Sequence, residues 1–146
     1  MFKTFQEPRR VVITGFGCVT PIGIGREKFW ESLENGVSGV RKIESFDVSD
    51  SAVKIAAEVQ NFDWQAELNP KDRKNVSRCV PLAIAAAREA MQDAKINHEE
   101  LSLEEKRNFG VVLGTGGGGL SFTEKQYVYW LTGEALSTYV RSAGLF

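Results

Sequence analysis

With 146 residues, 42% of them hydrophobic and 25% charged, the chain is the size of one folded domain and is too apolar for wholesale disorder. Eighteen Lys and Arg against nineteen Asp and Glu leave a net charge of -1, without the basic excess that tracking a nucleic-acid backbone demands. No apolar run approaches the eighteen or so residues needed to cross a bilayer, and the first ten residues lack the apolar stretch of a secretory signal. The expected location is the cytoplasm, with neither nucleic acid nor membrane as partner.

Cysteine and histidine counts narrow the chemistry further. Cys18 and Cys79 form no disulfide framework, and the single histidine, His98, cannot assemble a zinc site. Any Cys–His pair has to use His98, which lies in the polar run 95–100 and reads as a solvated loop residue. The P-loop, nucleophile-elbow and HExxH patterns are absent. Asn75-Val76-Ser77 has the form of a glycosylation acceptor, but without a secretory route it reads as chance.

Along the chain, Val11-Val12-Ile13-Thr14 reads as a buried strand running into a turn at Gly15-Phe16-Gly17, which Pro21 and Gly23 prolong. A helix fits Arg26 to Glu34, with Phe29, Trp30 and Leu33 on one face and Asn35-Gly36 as its stop. Val37 to Ser51 reads mainly as loop, and Lys54 to Val59 as a short strand. The clearest helix runs from about Ser77 to Ala94, with Val80, Ile84, Ala87, Met91 and Ala94 at helical spacing. Its alanines at 83, 85, 86, 87 and 90 make it slim enough for burial between layers. Pro81 then belongs in the first turn, and Cys79 beside it packs as a small apolar residue. Asn97 to Asn108 is a charged connector. Phe109 to Leu113 is a second buried-strand candidate, followed by the glycine run 114–119 and a helix from Ser121 to Leu131 closed by Thr132-Gly133.

The strand–glycine–helix order invites a nucleotide reading, in which backbone N–H groups of the Gly114 to Gly119 loop cradle a phosphate. Gly114, Gly116 and Gly119 satisfy GxGxxG, but the only acid near the required distance, Glu134, lies in no recognisable strand. Turn geometry accounts for most of these glycines without a ligand.

A longer pattern is more specific. Arg9-Arg10-Val11-Val12-Ile13-Thr14-Gly15-Phe16-Gly17-Cys18-Val19-Thr20-Pro21-Ile22-Gly23 resembles the opening of the β-ketoacyl-[acyl carrier protein] synthases. The resemblance continues through Phe29 to Leu33, Gly36 to Val40, Phe46-Asp47, Glu89 to Ala94 and Gly110 to Gly119. Ser137-Thr138-Tyr139 matches the family's S-P-[FY] with Thr138 in place of proline, and after Val140 the likeness fades. The resemblance implies an α/β chain forming part of the N-terminal half of a thiolase-like αβαβα layered fold, with residues 1–146 as a partial synthase domain ending before the nucleophile. It implies acyl-chain elongation by decarboxylative Claisen condensation, in fatty acid or polyketide synthesis. The partner is acyl carrier protein bearing acyl and malonyl groups, the assembly a homodimer or heterodimer, and no cofactor is required. A chain-length-factor-like subunit without a nucleophile is the alternative within the same family.

The family's catalytic cysteine sits in a C-[ST]-[SA] motif and works with two histidines, and the resemblance places all three beyond Phe146. Neither Cys18 nor Cys79 occupies the nucleophile's position, so no catalytic residue is expected in this chain. One substrate-binding residue is implied. Gly117 follows the G-[ST]-G at the position that lines or gates the acyl pocket, where many members carry a bulky aliphatic side chain, so an ungated or differently shaped pocket is expected.

Overall fold

The computed structural model describes residues 10–73 and 76–133. Asn75, Glu134 and the Ser137-Thr138-Tyr139 match lie outside the described residues. In chain order the elements are β1 (Val19–Thr20), β2 (Gly23–Ile24), α1 (Arg26–Glu34), β3 (Val40–Lys42), β4 (Ile55–Ala57), α2 (Cys79–Asp93), α3 (Leu103–Arg107) and α4 (Leu120–Thr132). Two small antiparallel ribbons are present, β1 with β2 and β3 with β4. In the first, Val19 faces Ile24 and Thr20 faces Gly23. In the second, Val40, Arg41 and Lys42 face Ala57, Ala56 and Ile55.

The helix bounds follow the sequence signals closely. α1 occupies the expected Arg26–Glu34 and stops at Asn35. α2 begins at Cys79, which puts Pro81 inside the first turn, where its missing N–H costs nothing, and Pro81 is buried. α4 ends on Gly133 in the left-handed conformation, a standard helix stop. The charged connector after α2 holds a short helix, α3. Ser102 and Glu105 close a reciprocal capping box at the start of α3, each side chain accepting from the other's backbone N–H.

The two buried strands are corrected. Neither Val11–Thr14 nor Phe109–Leu113 belongs to any strand pair among the described residues, and both stand in solvent. Val11 is 90% exposed and Val112 fully exposed. A strand forms only where a neighbour accepts its ladder hydrogen bonds, and no described segment takes that place. Conversely, β3 arises inside the segment read as loop, and the bend after Val19 closes into the β1–β2 hairpin.

α2 organises what packing there is. The chain from Gly15 to Cys18 lies directly on it. A Cβ at Gly15 would come within 2.1 Å of the Ala90 carbonyl oxygen, and one at Gly17 within 2.1 Å of the Ala86 oxygen. The alanines at 86, 90 and 94, four apart, therefore form the floor on which this segment rests. This face shares Ala94 with the expected stripe, whereas Ile84 and Ala87 of that stripe are exposed. The slim helix is packed on one side and open on another. Among the described residues the buried apolar side chains are Val48, 7% exposed, and Pro81. Lys54 Nζ secures the Val48 loop by donating to the carbonyls of Val48 and Ser49 at 2.8 and 2.6 Å.

Candidate functional site

The glycine run meets the start of α2. Gly118 has φ of 64°, a conformation that glycine adopts without strain, and its N–H donates to Thr115 Oγ1 at 3.0 Å. Gly119 caps α4, and its carbonyl accepts the Thr123 N–H at 2.9 Å. A Cβ at Gly119 would lie 2.7 Å from Ser77 Cβ, so the loop presses against the residues that open α2. Cys79 Sγ donates to the Gly118 carbonyl at 2.8 Å and lies 2.7 Å from Ser77 Oγ. The expectation that Cys79 packs as an apolar residue is thus corrected: its thiol is a polar tie between α2 and the loop. A cavity of about 310 Å³ opens here, lined by Ser77, Cys79, Thr115, Gly117, Leu120 and Ser121 among others.

Gly117 lines that cavity. A Cβ there would lie 2.9 Å from Leu120 Cδ1, the far end of a flexible side chain that can swing aside. The backbone at 117 therefore tolerates a larger residue.

Cys18 is placed differently. Its N–H donates to Glu89 on α2 at 2.9 Å. Partial burial, and then the nearby Glu89 carboxylate, push the Cys18 thiol above its usual pKa, which disfavours the nucleophilic thiolate. His98 stands exposed in the turn after α2. The hydrogen-bond partners of Cys79 are Ser77 and Gly118, so no described contact joins it to an imidazole. A second cavity, about 630 Å³, lies between α1 and α2 around Arg26, Glu31, Glu89 and Asp93. Among the described residues no group of three or more His, Cys, Asp or Glu is arranged to hold a metal ion.

The architecture has a solved counterpart in the ishigamide ketosynthase/chain length factor. The similarity has a TM-score of 0.64 at 30% identity and covers 86% of this chain and 31% of that one. The class is thus that of the thiolase-like ketosynthases. The sequence profile of the β-ketoacyl synthase N-terminal domain matches residues 8–144, and the chain belongs to that family. It is 40% identical over 120 residues to 3-oxoacyl-[acyl-carrier-protein] synthase 2 of Synechocystis sp., covering 82% of this chain and 28% of the relative. With the synthase 2 of Coxiella burnetii it shares 39% over 127 residues, covering 87% and 30%. The chain thus spans less than a third of the length of these relatives.

Proposed function

We propose that these residues form the N-terminal part of a 3-oxoacyl-[acyl carrier protein] synthase that condenses carrier-bound acyl and malonyl groups in fatty acid or polyketide synthesis. On this reading the layered αβαβα core is completed by polypeptide beyond the 146 residues, which also brings the cysteine nucleophile and the two histidines. The working assembly is a cytoplasmic dimer that receives acyl carrier protein. The family match across residues 8–144 is the observation that carries the reading. The one-sided packing of α2 and the two unpaired apolar runs agree with it, because continuous apolar runs are the mark of strands covered on both faces.

By itself the chain carries out no condensation. A thiolate has to be generated and then supported by groups that stabilise developing negative charge. Here one thiol is pushed toward its protonated form and the other is engaged with Ser77 and Gly118. Incubating the purified chain with acylated carrier protein and malonyl carrier should give neither a protein thioester nor product. Accumulation of a thioester on Cys18 or Cys79 would contradict this.

Gly117 sets the shape of the acyl pocket in the intact enzyme, leaving the gate position without a side chain. In an enzyme carrying this segment, Gly117→Ile should shorten the preferred acyl chain. An unchanged chain-length profile in a folded variant would remove Gly117 from the pocket wall.

A further inference from the structure

α1 starts without a cap of its own. Its N-cap is Gly25, at φ of 85°, which has no side chain to offer the first N–H groups of the helix. The missing acceptor comes from another helix: Glu89 Oε1, on α2, takes the Arg26 N–H at 2.7 Å. The other oxygen, Oε2, takes the Cys18 N–H at 2.9 Å. Cys18 and Arg26 flank the β1–β2 hairpin, so one carboxylate grips both of its ends. Two glycines leave room for this side chain. A Cβ at Gly17 would lie 2.8 Å from Glu89 Cβ, and one at Gly25 would lie 3.2 Å from Oε1.

We propose that Glu89 is a latch that docks the hairpin and α1 onto α2 as a single cooperative unit, and thereby aims the apolar run Val11–Thr14 that leads into it. The bonds inside the unit link its parts. Gly25 N–H donates to the Cys18 carbonyl, Thr20 Oγ1 bonds Gly23, and Phe29 N–H donates to the Gly25 carbonyl. One helical turn after Glu89, Asp93 adds a second hold by accepting the Phe16 N–H at 3.0 Å and pairing with Arg26. A carboxylate is required because two N–H donors meet two oxygens. An amide offers one oxygen and turns its NH2 toward the other donor. The proposal concerns docking within these residues and does not depend on the enzymatic reading above.

Amide hydrogen exchange on the full 146-residue chain tests it. Glu89→Ala should speed exchange more than tenfold across Cys18 to Phe29 as one block, leaving the β3–β4 ribbon at its wild-type rate. Glu89→Gln should give a smaller increase over the same block. Faster exchange confined to the Cys18 and Arg26 amides would overturn the cooperative unit. Equal loss of protection in β3–β4 would also overturn it, because Glu89 would then be a general stabiliser. As an independent readout, Glu89→Gln should let the Cys18 thiol be alkylated at lower pH than in the wild type, and an unshifted pH profile would count against the contact.

Discussion

Gly15 and Gly17 let the backbone lie on α2 at a distance that no side chain permits. Their hypothetical Cβ atoms would fall 2.1 Å from the carbonyl oxygens of Ala90 and Ala86, which are fixed in the helix and cannot yield. Overpacking of this kind costs about 1–3 kcal/mol, and contact with a rigid backbone puts Gly17→Ala at the upper end, about 3 kcal/mol, as a fall in the urea midpoint would show. Gly114 and Gly116 have open space around them, so alanine there should change the midpoint little. Cys18 supplies a pH test. Its thiol pKa is raised in the fold, so the folded state holds the proton more tightly than the unfolded chain does. The stability this contributes is fully present below the ordinary thiol value of 9.0 and is lost as pH rises through the higher folded value. Thermal midpoints should therefore fall less steeply above pH 9 in Cys18→Ser than in the wild type. A sequence shows neither effect, because each depends on residues about seventy positions away.

Elements differ in how far they could be read in advance. α1 and α4 were legible because their stop signals, Asn35-Gly36 and Thr132-Gly133, act within a few residues. α3 was missed: Ser102-Leu103-Glu104-Glu105 has the form of a capping box, but it lies in a charged run without an apolar stripe behind it. The Ser102 hydroxyl and backbone N–H hold the Glu105 carboxyl below its ordinary value. Protonation thus weakens the box, whose contribution is present above the usual glutamate value of 4.5 and is lost as pH falls. The Glu105 amide resonance should move with that transition in the wild type and lose the movement in Ser102→Ala. For α2, the existence and bounds of the helix were legible but its packed face was not. Hydrophobicity pointed to the Ile84 and Ala87 side, whereas the contacted side carries Ala86, Ala90, Glu89 and Asp93. Close approach to a glycine segment selects small residues rather than apolar ones, and periodicity does not register that. The thiol tie from Cys79 to Gly118 was likewise illegible, because it joins residues 39 positions apart.

At the scale of the whole molecule, the segments that look most like core from sequence are the ones left in water. Val11–Ile13 and Val111–Leu113 are continuous apolar runs, and every one of these six residues is exposed. On the reading proposed above, their neighbours come from the rest of a chain of which, in the relatives, the matched segment is less than a third. Uncovered apolar runs with free backbone groups favour association. Sedimentation velocity on the isolated chain should show dimers or larger species increasing with concentration, whereas a monodisperse monomer at high concentration would argue that these runs are covered internally. Glycine loops alone are too permissive a pattern to decide between a nucleotide site and plain turns. The ordered blocks spread across the chain carried the family assignment, and the sequence profile and the solved counterpart agree with them.

On the reading proposed above, these two runs are inner strands that the remainder of a condensing enzyme covers. Amide hydrogen exchange at 11–14 and 110–113 tests it most directly, comparing the isolated chain with the chain co-expressed with the polypeptide that follows the matched segment in its Synechocystis relative. Both runs should exchange fast in the isolated chain and become strongly protected once the remainder is bound. Strong protection in an isolated monomer, or no gain in a stable complex, would contradict it.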